Sequence, residues 1–164
     1  MSTVLTNAQI TTLHNFCTSS ADPVMVSIVA RGATGDLVGY MNAANTTGAV
    51  AWNNAATAQL IDGAANYTTY DSLTQGKRDE WSIFLKYAPR DMSKTSNEKV
   101  VTDVWGVAST GSLAETILLA TVYSATVAQT VIGGNNRTQG SVTALNLTYF
   151  GSVTQTDAQR ILAG

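Results

Sequence analysis

The chain contains one cysteine, one histidine, two prolines and few charges among its 164 residues, and no stretch of about 18 consecutive apolar residues long enough to cross a bilayer. Cys17 alone excludes an internal disulfide framework and a multi-cysteine zinc or iron–sulfur site, so a reducing compartment is expected. No basic stretch leads into a long apolar run at the N-terminus, so neither a cleaved secretory signal nor a membrane partner is expected. With 45% hydrophobic residues and so little proline, the composition is not that of a disordered or collagen-like chain. At about 100 to 200 residues per domain, the length predicts a single domain over residues 1–164.

Charged residues make up 12% of the chain, about half the share usual in soluble domains. Nine basic and eleven acidic residues leave a net charge of −2. This balance argues against nucleic acid as a partner, because phosphate neutralisation needs clustered positive charge. The polar surface must come from 24 Thr, 13 Ser and 11 Asn. Subunit interfaces are depleted in charge because ions are costly to desolvate. The depletion therefore points to a subunit of an assembly, a homo-oligomer or a multi-copy protein.

Local signals predict a mainly helical α+β fold. Thr6 and Gln9 form a capping box ahead of a helix with Ile10, Leu13, Phe16 and Cys17 on one face. Asp22-Pro23 starts a second helix, with Val24, Ile28 and Val29 as its apolar face and Gly32 as its stop. A short third helix carries Leu37, Val38 and Met41. Residues 42–48 read as a loop, and Trp52, Ala55, Ala56, Gln59 and Leu60 fit a helix closing at Gly63.

Residues 66–72 show no periodicity. From Thr74 onward, Trp81, Phe84, Leu85 and Ala88 fall on one helical stripe that Pro89 ends. Thr95 and Glu98 resemble a capping box for the next helix, with Val100, Val101, Val104 and Trp105 as its stripe and Gly106 as a left-handed cap. Together these two helices predict a central antiparallel hairpin, in which Trp81 and Trp105 face each other. Eleven of the twenty charges lie in residues 77–103, so this hairpin should carry the most solvated face.

Ser112 and Glu115 argue for a further helix, yet the run to Ile132 is rich in Thr and Val; two short helices are expected there. Leu145, Leu147 and Tyr149 alternate with Asn146 and Thr148, predicting a strand over residues 142–150. A lone strand leaves its backbone groups unsatisfied. Its partner should therefore lie in residues 127–132, near Val4, or on another subunit. The cluster Gly133-Gly134-Asn135-Asn136 reads as a mobile tip. Thr154 and Asp157 open a last helix carrying Ala158, Ile161 and Leu162.

Residues able to do chemistry are sparse. His14 and Cys17 stand at i and i+3, but a closed zinc site needs four ligands and no second histidine or cysteine exists. Gly76-Lys77 lacks the upstream glycine of a phosphate loop, since Asp71 occupies that position. The acids Asp71, Asp79, Glu80, Asp91 and Asp103 lie in the charge-mixed hairpin, where caps and solvated ion pairs are their ordinary roles. No catalytic residue, cofactor or metal ligand is assigned. The interface candidates are Trp52, which stands among asparagines and alanines, Tyr67 and Tyr70 in the loop before the hairpin, and Leu145, Leu147 and Tyr149 on the unpartnered strand.

The stretch YTTYDSLTQGKRDEWSIFLKYAPRDMSKTSNEKVVTDVWG, Tyr67 to Gly106, resembles the central helical hairpin of small proteins encoded among the virion structural genes of tailed bacteriophages. A Trp52-containing helix before it and a terminal strand, glycine turn and helix after it, residues 142–162, extend the pattern over about two thirds of the chain. The resemblance implies a non-enzymatic virion subunit, made in the host cytoplasm and carried in the head, neck or tail, with other virion proteins as partners. It carries over no residue roles. Two alternatives compete with it: an adaptor binding a host or phage protein through Trp52 and the Tyr67 to Tyr70 loop, and a hydrolase using the acids between Asp71 and Asp103.

Overall fold

A computed structural model describes residues 4–164. The fold is α+β and mainly helical, as the sequence predicts. Its elements run α1 (Asn7–Ser19), α2 (Pro23–Arg31), α3 (Thr34–Asn42), β1 (Val50–Trp52), α4 (Ala58–Asp62), α5 (Tyr67–Ser72), α6 (Gln75–Lys86), α7 (Thr95–Trp105), α8 (Leu113–Ala120), β2 (Val122–Ser124), α9 (Val127–Ile132), β3 (Gly134–Gln139), β4 (Val142–Leu147) and α10 (Gln155–Ala163). They gather into two compact units, both assembled from separate stretches of chain. The first comprises residues up to Ala49 with Ser124–Gly134 and Leu147–Gly164; the second comprises Val50–Tyr123 and Asn135–Asn146.

The first unit is helical. Its caps form where short-range chemistry places them, with Thr6 and Gln9, Thr126 and Gln129, and Thr154 and Asp157 closing reciprocal boxes on α1, α9 and α10. Asp22 accepts from the Val24 amide at 2.9 Å, and Gly32, at φ 59°, ends α2 in the left-handed conformation that glycine adopts without a Cβ clash. The α2 face differs from the expected one. Met25 and Ile28 are buried while Val24 and Val26 are exposed, because an apolar residue at almost every position leaves periodicity unable to choose the phase. The core joins Leu13, Cys17, Met25, Leu37, Met41 and Ile161 with Tyr149. Asn42 ties Val153 in place through two hydrogen bonds, its amide donating to the Val153 carbonyl and its carbonyl accepting from the Val153 amide.

The second unit holds α4 to α8 and a four-stranded sheet in the order β2-β1-β4-β3. Three expectations are corrected here. Trp52 lies in strand β1, not in a helix, and only Ala58–Asp62 of the expected segment is helical, capped by Thr57. The C-terminal strand has its partners within the chain: β4 pairs in parallel with β1, Ala51 opposite Leu145, and lies next to β3. Of the glycine and asparagine cluster expected to be a mobile tip, Gly134, Asn135 and Asn136 begin that strand β3, and Gly133 is the C-cap of α9. The two residues after β3, Gly140 and Ser141, turn the chain into β4.

Burial along β4 also departs from strict alternation. Val142 and Ala144 are buried in the core of the second unit, whereas Leu147 and Tyr149 carry the buried phase afterwards. Residues 66–72, expected to be irregular, include the short helix α5, which Asn66 caps at the Thr69 amide.

Helices α6 and α7 form the predicted hairpin. Lys77, near the start of α6, donates to the Val104 carbonyl near the end of α7 at 3.3 Å, so the two run antiparallel. Trp81 and Phe84 are buried on α6, and Val101 and Val104 on α7.

Candidate interaction surface

Trp81 and Phe84 point inward from α6 because they sit three residues apart, a little under one turn. The Trp81 ring meets Trp105 edge-on with centroids 5.3 Å apart and stacks on Phe84 at 5.6 Å. Trp105 leads on to Tyr70 at 6.2 Å and Tyr70 to Tyr67 at 6.1 Å. These rings make a continuous aromatic ladder from the core to the surface, stabilised by edge and offset contacts beyond simple burial. Asp62 fixes two rungs: one carboxylate oxygen accepts from Trp81 Nε1 at 3.1 Å and the other from the Tyr67 hydroxyl. That bond to Asp62 holds the Tyr67 phenol above its ordinary pKa.

The same helix has a second face. Ile83 and Tyr87 are 57% and 63% exposed and one turn apart. Between α6 and α7 runs a largely apolar groove of about 520 Å³, bordered by Gly76, Glu80, Ile83, Arg90, Asn97 and Val100. The Arg90 guanidinium lies over the Phe84 ring, 4.7 Å from its centroid, and donates to the Phe84 carbonyl at 2.8 Å. Its charge is thus held at the mouth of the groove. Ile83, Tyr87 and Arg90 were not among the sequence candidates, although part of the signal was present: Ile83 and Tyr87 are large apolar residues one turn apart and off the Trp81 and Phe84 stripe.

The expected interface residues divide. Tyr67 is exposed and Tyr70 half-buried, so both reach the surface of the second unit. Leu145 is half-buried. Trp52, Leu147 and Tyr149 are corrected to interior residues, each almost wholly removed from solvent.

Trp52 packs beside an ion pair that reads differently in the sequence. Glu98, expected to cap α7, is fully buried and pairs with Arg137 of β3. Arg137 also donates to the Met92 carbonyl at 3.1 Å, its guanidinium stands 5.8 Å from the Trp52 ring centroid, and its backbone carbonyl accepts from Trp52 Nε1 at 3.4 Å. Burial raises the Glu98 carboxyl above the ordinary carboxylate range against the opposing pull of Arg137. One Glu98 oxygen, Oε2, and Arg137 Nε make no hydrogen bond.

Of the remaining polar candidates, His14, Asp91 and Asp103 have partners within the fold. His14 Nδ1 lies 2.7 Å from the Ile161 carbonyl. Cys17 is in the first unit's core, where burial pushes its thiol up to about 11. Asp91 accepts from the Ser93 amide at 3.0 Å, and Asp103 pairs with Lys99 one turn away. Only Asp79 and Glu80 of the five acids border the groove. Among the described residues, no three histidine, cysteine or acidic side chains converge as a metal site would require. No family model, curated protein or solved structure matches the chain.

Proposed function

We propose that this chain is a non-enzymatic bacteriophage virion structural protein that acts by self-assembly or by docking on other virion subunits. The outer face of α6 carries the proposal: Ile83 and Tyr87 stand in solvent beside an apolar groove on a chain whose charged fraction is only 12%. Aromatic and aliphatic anchors beside a groove are the usual core of a protein interface, and a polar rim completes it. Asp79, Glu80, Lys86 and Arg90 supply such a rim. The resemblance of residues 67–106 to phage virion proteins supplies the setting.

The test is where the protein resides in a phage lysate. Particles purified by density gradient from a lysate containing the protein should hold it in many copies by quantitative mass spectrometry. Recovery only in the free soluble fraction overturns the proposal.

A further inference from the structure

Resting on the reading of the chain as an assembling subunit, we infer that the partner of the α6 outer face is a second copy of the same chain, docked antiparallel about a two-fold axis that passes beside Ile83. Charge placement makes this face self-complementary. Its two acids, Asp79 and Glu80, precede Ile83, and its bases, Lys86 and Arg90, follow it. The bases at the start of the helix are turned elsewhere, Lys77 to the Val104 carbonyl and Arg78 to the Asp71 carbonyl and Gln75.

Helical geometry then fixes which groups meet. At about 100° and 1.5 Å per residue, Asp79, at the edge of the groove, and Lys86 both fall on one side of Ile83, while Gly76, Glu80 and Tyr87 fall on the other, the side of Phe84 and the body of the groove. A two-fold axis perpendicular to both helices reverses each residue's level and keeps its side. Lys86 of the second copy therefore arrives within about one residue rise of Asp79, and by symmetry the pair forms twice. Tyr87 of the second copy arrives within about one residue rise of Glu80 on the groove side, with the open space beside Gly76 about one turn further along. Each copy thus places its exposed tyrosine against the other's apolar groove. Ile83 packs on Ile83 at the centre, the arrangement an isologous interface requires. One Asp79 oxygen accepts from Gln75 Nε2 at 2.7 Å, which holds the carboxylate on this face.

The experiment is a charge swap read by sedimentation velocity on the full chain. Wild type should show a reversible monomer–dimer equilibrium. Asp79→Lys and Lys86→Asp should each weaken it about tenfold by placing like charges opposite each other, and the double swap should restore it. Because these side chains are exposed, circular dichroism should show all three variants folded. Mild oxidation should link Ile83→Cys into a covalent dimer, since the axis brings the two thiols together, and should leave Val107→Cys, at another exposed position, unlinked.

A protein monomeric at every concentration overturns the inference, as does a dimer indifferent to the single swaps or not rescued by the double one. If Ile83→Glu abolishes incorporation of a monomeric protein into particles, the face docks a different virion subunit and the second copy is overturned. A swap-sensitive dimer missing from purified particles leaves this interface standing and overturns the virion reading. A particle-borne protein whose dimer ignores the swaps overturns the interface alone.

Discussion

Gly140 shows how one residue can be fixed by its surroundings. Its φ is +61°, in the left-handed region, and a Cβ built there would lie 1.9 Å from the Ala108 carbonyl oxygen, the same oxygen that accepts from the Ser141 amide at 2.9 Å. Gly140→Ala should therefore cost about 3 kcal/mol or more in denaturant unfolding, combining backbone strain with displacement of the 106–112 segment. Gly35→Ala, where nothing lies near the added Cβ and the position is helical, should be neutral or stabilising by up to about 1 kcal/mol. Equal losses at the two sites would show that the Ala108 contact is not made.

Glu98 supplies the pH dependence. Its folded pKa is raised by burial, so between the ordinary carboxylate range and that raised value the native state binds more protons than the unfolded chain. Stability contributed by this group is accordingly full below the unfolded value and declines as pH rises through the folded one. Wild type should gain stability over Glu98→Gln as pH falls from about 7 toward about 4.5. The check is chemical denaturation of both proteins across that range. A difference that shrinks on acidification would mean that pairing with Arg137 outweighs burial.

At the scale of elements, α6 has two faces with opposite duties. Trp81→Ala should cost about 3 to 5 kcal/mol, the usual loss for a buried tryptophan. Ile83→Ala, on the exposed face, should change stability by less than about 0.5 kcal/mol at protein concentrations where the chain is monomeric. Denaturant midpoints of the two variants decide this, and comparable losses would mean that the helix is rotated from the phase described. This phase was legible in the sequence because Trp81, Phe84 and Leu85 recur at helical spacing among polar neighbours. The caps at Thr6, Asp22 and Thr154 were legible for a related reason: their chemistry spans only two or three residues.

Other elements were not legible. The alanines around Trp52 favour helix, and the strand exists because the β4 backbone lies alongside it. Thr95 and Glu98 have capping-box spacing, yet Glu98 is claimed by Arg137, 39 residues away. The apolar α2 offers no phase at all until neighbouring helices bury Met25 and Ile28.

At the scale of the whole molecule, both compact units are built from separated stretches of chain. The second unit needs residues 135–146 as well as 50–123, because Val142 and Ala144 complete its core and Arg137 neutralises buried Glu98. A fragment of residues 50–123 alone should lack a cooperative thermal transition, since removing one partner of a buried ion pair costs about 3 to 5 kcal/mol and the lost core contacts add to it. Joining residues 135–146 to that fragment through a flexible linker should restore cooperative melting. Calorimetry on the two fragments tests this, and cooperative melting of the shorter one would show that β3 and β4 are dispensable.

The sequence by itself determined the mainly helical composition, the capped helix ends, the α6–α7 hairpin with its tryptophan contact and the low surface charge. These follow from periodicity, capping and composition, which act between near neighbours or need no contacts at all. Only the tertiary structure decided that Trp52, Leu147 and Tyr149 are interior, that β4 pairs within the chain and that Ile83 and Tyr87 remain at the surface beside a groove. A strand's partner, a buried charge's counter-ion and the exposure of an apolar side chain are set by residues distant in sequence, and local patterns carry no record of which distant segment packs against them.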